Sequence, residues 1–318
     1  MDSHTIALLF PGQGSQYVGM GKNLAHTFPV AHKVFQEADD LLGISLSRIA
    51  WEGPEQELND TINTQPALLV HSTAALAVLF EHYPQISPAF VAGHSMGELS
   101  ALIASKALSF QGALRLVRKR GELMKRSGVE APGGMAAILG LDIPTLDAIC
   151  AQASTQEEIV QVANDNCPGQ VVISGSIDAL DRALDLSQKS GAKRVLRLAV
   201  SIAAHSPLMA SAQLDFNQAV NAAPITNSSI PIIGNVTANP LNTAASIRSD
   251  LQAQLTHRVR WTESIQYMIS QGISIFIEIG SGSVLAGLVK RIERQASCFA
   301  LGTPEDFLKL ITSIGLEA

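Results

Sequence analysis

Aromatic side chains make up only 5% of this 318-residue chain, and charged ones only 16%. Sparse charge on an apolar chain excludes intrinsic disorder, which needs a solvated, charge-rich sequence with little to bury. A basic excess is missing as well: 22 Lys and Arg stand against 28 Asp and Glu, a net charge of −6. Nucleic-acid binders carry a basic domain or stripe, so no nucleic-acid partner is expected. Cysteine is scarce. Cys150, Cys167 and Cys298 are far apart, odd in number and form no CxxC pair. Neither a zinc site nor a disulfide framework is supported, and the cytoplasm is the expected compartment. No apolar run approaches the ~18 residues of a membrane span, and the early run IALLF has no basic segment before it, so neither a membrane association nor a secretory signal is expected. Gly and Pro are near ordinary usage, which excludes collagen-like and linker-dominated chains.

What is present is a chain that is 47% hydrophobic, chiefly Ala, Leu, Ile and Val. At about 150 residues per domain, its length suggests roughly two units. Short apolar runs at 5–10, 89–93, 229–235 and 273–280, and SCFALG near the end, read as buried strands. Helical patterns lie between them, including 64–83, with Pro66 near its first turn, and 111–126, ending at Gly128. This alternation predicts a doubly wound α/β body. Residues 133–200 change character. Strand, helix, two strands joined by the turn NCPG, helix and strand give the order βαββαβ of a ferredoxin-like unit.

Gly93-His94-Ser95-Met96-Gly97 fits G-x-S-x-G between a strand (AFVAG) and a helix. Such a turn is so tight that side chains two positions either side of the serine would collide, and its strain pushes the hydroxyl out at the carboxyl edge of the sheet. The following helix N-terminus favours developing negative charge there. An oxyanion hole needs two converging donors. The N–H of Met96 supplies one, and the early loop PGQGSQ (11–16) offers Gln13 for the other. The alternative for that loop is an ordinary turn; it is neither a P-loop nor GxGxxG.

A serine needs a base. His4, His26, His32, His71, His82, His94, His205 and His257 are the candidates. Strand alternation points His94 away from Ser95, and His71 sits in an apolar helix. His205, at a strand end before a Pro-initiated helix, is well placed to reach the elbow. Arg115, Arg118, Lys119, Arg120, Lys125 and Arg126 crowd one helix, ordinarily the mark of a solvated face. Helical spacing nevertheless puts Arg120 with Leu116 and Leu123, and a buried guanidinium can hold a carboxylate bidentately.

FPGQGSQ (10–16), GHSMGE (93–98), RKRGELM (118–124), ANDNCPGQVVISG (163–175), AAHSPLM (203–209) and VRWTESIQYM (259–268) occur together and in order. This set resembles the malonyl-CoA:acyl-carrier-protein transacylases over roughly residues 5–312. The resemblance implies an α/β-hydrolase-like large subdomain with a parallel sheet (1–129 and 201–318) and an inserted ferredoxin-like small subdomain (130–200). It implies Ser95 as nucleophile, His205 as base and Arg120 as receptor of the malonyl carboxylate. Gln13 and Met96 form the oxyanion hole, and the backbone carbonyl of Gln254 orients the histidine. Asn164 and Asn166 line the cleft. The residue before the histidine, commonly Phe in the family, is Ala204; in related polyketide acyltransferases a smaller residue there accompanies branched extender units. The implied activity is ping-pong transfer from malonyl-CoA to an acyl carrier protein, by a monomer, without cofactor or metal. The rival readings are a serine acyl-hydrolase or editing thioesterase, a polyketide acyltransferase of broader choice, and a docking subunit that keeps the fold. An acidic carrier would call for a basic patch, with Lys119, Lys125, Arg126, Lys193, Arg194, Lys290 and Arg291 as candidates.

Overall fold

A computed structural model describes residues 5–314. Fourteen α-helices and ten strands, numbered along the chain, are found among these residues, and the strands form two sheets. The larger sheet has the order β10-β9-β1-β2-β7-β8. Its strands β1 (Ile6–Phe10), β2 (Phe90–Gly93), β7 (Ile232–Ile233), β9 (Ile275–Ile279) and β10 (Ser297–Leu301) are parallel, and the short β8 (Pro240–Leu241) runs antiparallel to β7 at the edge. Every residue of β1 is buried. Ile6, Leu8 and Phe10 pack into one hydrophobic core with α5 (Thr61–His82), α6 (Gly97–Ala104) and α7 (Phe110–Glu130). Ala7 and Leu9 pack into a second core with α12 (Trp261–Ser270) and α13 (Val284–Ile292). This is why β1 reads as a continuous apolar run: successive side chains point to opposite faces, and helices cover both.

The strand expected over 229–235 shrinks to two residues. Pro231 has no N–H to give to a ladder, although its carbonyl accepts from Val91 N (3.0 Å). Beyond Ile233 the chain turns away to serve the site. Helix α5 starts at Thr61, three residues earlier than expected, because Asp60 caps it by accepting from Ile62 N (3.2 Å). Pro66 therefore lies inside the helix, where it cannot donate to Ile62 O. Arg118 of α7 donates to that freed carbonyl instead (3.3 Å). Gly121 allows the close crossing of α7 over α5, since a Cβ there would meet Thr61 O at 2.8 Å.

The second sheet holds β3 (Gly133–Leu139), β4 (Val160–Cys167), β5 (Gln170–Ser176) and β6 (Arg194–Arg197), antiparallel in the order β4-β5-β3-β6. With α8 (Ile143–Ala153) after β3 and α9 (Ile177–Lys189) after β5, this is the expected βαββαβ arrangement around its own core, which includes Ile138, Leu146, Val162, Ile173 and Leu180. Its edge strand β4 is tied to the larger body: Asp165 N donates to Val259 O (2.9 Å) and Val259 N to Ala163 O (2.8 Å). That tie brings Asn164 and Asn166 to the carboxyl edge of the larger sheet. Among the described residues, no helix is long and apolar enough to cross a membrane.

Candidate active site

The loops that leave β1 and β2 border a cleft of about 640 Å³, lined by Gln13, His94, Ser95, Met96, Arg120 and His205 among others. Ser95 sits at φ 52°, a left-handed conformation rare for a non-glycine residue. Both flanking glycines are required: a Cβ on Gly93 would run into the Gly97 carbonyl, and one on Gly97 into the backbone of Phe10. The collision expected within the tight turn is present at Gly93; at Gly97 the constraint comes instead from β1, packed against the elbow.

Ser95 Oγ lies 2.8 Å from His205 Nε2. On the other side of the ring, His205 Nδ1 donates to the backbone carbonyl of Gln254 (2.8 Å), at the end of α11 (Ala244–Gln254). A backbone carbonyl can only accept, so Nδ1 carries the proton and Nε2 is left free to take one from the serine. His205 itself has φ 58°, and Gln161 Nε2 donates to its carbonyl (2.7 Å). Burial, together with the positive charge of Arg120, pushes the imidazole pKa down to about 3. The resting base is therefore neutral.

Arg120 is 1% exposed. Among the described residues its hydrogen bonds go to neutral groups: Gln65 Oε1 (2.8 Å), Met124 Sδ (3.2 Å), Gln254 Oε1 (2.9 and 3.2 Å) and Ser95 Oγ (3.1 Å). Burial lowers its pKa only to about 10, so it stays charged. A buried cation held by amides, a thioether and a hydroxyl is costly unless an anion arrives to pair with it. Its Nη2 faces the nucleophile, which fixes where that anion would sit.

The amides of Gln13 and Met96 both border the cleft, and among the described residues neither donates to a protein acceptor. Gln13 is held through its side chain, whose Oε1 accepts from Thr61 Oγ1 (3.0 Å). Asn164, Asn166 and Ala204 also line the cleft, alongside Met124, Met135 and Ile202. One expectation is corrected. His94 does not point away: it lines the cleft, with Nε2 2.8 Å from Asn166 Oδ1 and its ring edge-on to Trp261 (5.3 Å). Alternation fails there because the strand ends at Gly93 and the elbow reverses the chain. His71 is packed as expected, against Gly302 O (2.9 Å). His26, His32, His82 and His257 do not line the cleft, and His4 lies outside the described residues.

The sequence reading missed the residues that hold this geometry. Asn235, just beyond β7, accepts from Ser95 N (2.7 Å) and donates to Gly93 O (2.7 Å), clamping the strained elbow from both ends. Gln65 and Met124 hold Arg120. Of the basic candidates, Lys125 pairs with Asp60, Arg126 with Asp215 and Glu130, and Arg291 with the side chain of Gln170, which lines the cleft.

The chain is similar over most of its length to known proteins. The acyl transferase domain model matches residues 7–305. The malonyl CoA-acyl carrier protein transacylase of Bacillus subtilis is 45% identical over 94% of each chain. The crystal structure of the malonyl-CoA:acyl carrier protein transacylase from Xanthomonas oryzae superimposes with a TM-score of 0.94, at 39% identity over 98% of this chain and 99% of that one. A complex of a type II PKS acyl-carrier protein with its malonyl-transacylase matches with a TM-score of 0.93 at 40% identity, covering 97% of this chain and 99% of the other. On the extent of these matches, this chain belongs to the acyl transferase family.

Proposed function

We propose that this protein moves a malonyl group from malonyl-CoA to the phosphopantetheine thiol of an acyl carrier protein, through a malonyl ester on Ser95. The observation that carries this reading is the buried guanidinium of Arg120, hydrogen-bonded among the described residues to neutral groups and 3.1 Å from the serine hydroxyl. An acyl group ending in a carboxylate satisfies that charge; a simple acyl group leaves it unmatched.

His205 Nε2 takes the Ser95 proton as the hydroxyl attacks the thioester carbonyl. The tetrahedral oxyanion is held by the amides of Gln13 and Met96, each worth about 3–4 kcal/mol when such a donor is removed. The C–S bond then breaks, and the imidazolium returns its proton to the departing CoA sulfur. In the second half, His205 takes the proton of the carrier thiol, whose sulfur attacks the ester. The ester C–O bond breaks, and His205 gives that proton to the departing Ser95 oxygen, restoring the alcohol. Each half-reaction exchanges one acyl bond for another with no change of oxidation state, so the steps call for no redox cofactor and no metal. Neutral His205 is the state each half-step requires, and its backbone partner Gln254 supplies the orientation that a carboxylate supplies in a Ser-His-Asp triad.

The four-stranded unit over 130–200 is read as a subdomain inserted between the two parts, 1–129 and 201–318, of the catalytic body, which makes the cleft between the two sheets the substrate channel. A cytoplasmic monomer is part of the same reading. The test is incubation with malonyl-CoA and holo carrier protein. Malonyl-carrier is the expected main product; free malonate in excess of it would favour an acyl-hydrolase.

A further inference from the structure

Glu98 opens the helix behind the nucleophile, is 1% exposed and takes no part in the acyl transfer described above. Its Oε2 accepts from Gln254 Nε2. The same Nε2 donates to Ser95 O (3.1 Å), while Gln254 Oε1 takes Arg120 and Gln254 O takes His205. One glutamine therefore touches the nucleophile's backbone, the base and the carboxylate receptor, and Glu98 holds that glutamine.

Glu98 Oε1 is buried and makes no well-formed hydrogen bond among the described residues; the carboxyl lies within reach of the Asp250 carboxyl on α11 and of the Asn235 backbone N–H. Asp250 already accepts three hydrogen bonds, two at Oδ1 and one at Oδ2, which leaves Oδ2 free to accept one more. It takes Val236 N (3.2 Å), Thr237 N (3.1 Å) and Thr237 Oγ1 (3.1 Å), pinning the turn that carries the elbow clamp Asn235. Two buried carboxyl groups in such contact avoid an unpaired charge by sharing a proton. The charged or titratable groups facing Glu98 are Asp250 and, more remotely, Arg120, with His205 beyond Gln254. Burial first and Asp250 second hold the Glu98 carboxyl well above the ordinary carboxylate range.

We propose that Glu98 is a positioning residue that works as a neutral carboxylic acid, donating Oε1–H to Asp250 while Oε2 fixes Gln254. This closes a ring: Ser95 N to Asn235, the 235–237 turn to Asp250, Asp250 to Glu98, Glu98 to Gln254, and Gln254 back to Ser95 O. The neutral form also sets the charge of the pocket. With Glu98 protonated, no charge on it offsets Arg120, which keeps its attraction for an incoming malonyl carboxylate. With Glu98 ionised, its negative charge would offset Arg120 and weaken that attraction. The proposal rests on the malonyl-transfer reading.

Glutamine mimics the protonated acid, with an amide N–H toward Asp250 and an oxygen toward Gln254, so rescue by Glu98→Gln is the discriminating result. Ser95 acylation by malonyl-CoA and by acetyl-CoA would be followed in the full-length enzyme and in the Glu98→Ala and Glu98→Gln variants. Glu98→Ala is expected to lower the acylation rate constant about a hundredfold for both donors, as misplacement by about an ångström does. Glu98→Gln is expected to recover most of that loss and keep the malonyl preference. Infrared spectroscopy of the wild type at neutral pH is expected to show a protonated-carboxyl C=O band that Glu98→Gln removes. A Glu98→Gln variant as impaired as Glu98→Ala, or no such band in the wild type, overturns the proposal. The infrared arm reads Glu98 directly. It stays decisive even if wild-type Ser95 takes no malonyl group, the outcome that would instead sink the transfer reading.

Discussion

Replacing Arg120 by alanine removes a cation that is 1% exposed and whose Nη2 lies 3.1 Å from Ser95 Oγ. A malonyl thioester seated on Ser95 would then carry its carboxylate into a nearly dry site with no partner. Breaking a buried ion pair by deleting one member costs about 3–5 kcal/mol. At about 1.4 kcal/mol per factor of ten, kcat/KM for malonyl-CoA should fall by roughly two to three and a half orders of magnitude. Acetyl-CoA brings no carboxylate, so its kcat/KM should stay within about tenfold of the wild type, the residual loss reflecting Gln65 and Gln254 left without their donor. The ratio of the two kcat/KM values is the quantity to measure, because a general loss of fold divides out of it. Rapid-quench acylation of Ser95 with each donor, alongside circular dichroism, supplies it. A malonyl-to-acetyl ratio that Arg120→Ala leaves unchanged refutes the assignment of Arg120 as carboxylate receptor.

Asn235→Ala should strand two backbone groups, the buried Gly93 C=O and the part-buried Ser95 N–H, at about 1–3 kcal/mol for the first and less for the second; urea denaturation should reveal the loss together with slower acylation, and unchanged stability would show that the clamp is unnecessary. His205 has a pKa pushed down from 6.5 to about 3 by burial and by Arg120. The acid limb of the acylation rate should therefore lie below about pH 5, and a limb centred on 6.5 would contradict the neutral buried base. The stability sign agrees: the unfolded chain binds this proton near 6.5, so the histidine's contribution is complete above that pH and is lost progressively as pH falls toward 3. Ala204→Phe should narrow the cleft beside Met124, Met135 and Ile202 and shift competition between methylmalonyl- and malonyl-CoA toward malonyl; an unaltered ratio would remove Ala204 as a gauge of acyl size.

The elbow was legible because part of its requirement is local: Gly93 is small for a reason that operates within five residues, whereas Gly97 is small because β1 passes against it. Arg120 was legible by helical spacing with Leu116 and Leu123, all three of which are buried. The βαββαβ unit was legible from alternating strand and helix periods. What the sequence concealed acts across long separations. Asn235 lies 140 residues from Ser95, and Gln254 lies 134 from Arg120. Single polar residues on loops and helix ends carry no period, and only the folded chain brings them together. Glu98 was in view inside GHSMGE, but its burial became visible only with Gln254 and Asp250 packed against it. His94 was misjudged because alternation was extended past the last strand residue, into a turn at φ 52°.

The central claim is that Ser95 carries the malonyl group between two thiols. Intact-protein mass spectrometry after mixing with malonyl-CoA, followed by a chase with holo carrier protein, tests it most directly. A malonyl increment mapping to Ser95, absent in Ser95→Ala and discharged onto the carrier during the chase, is the predicted result. An enzyme that makes malonyl-carrier while Ser95 is never acylated would contradict it.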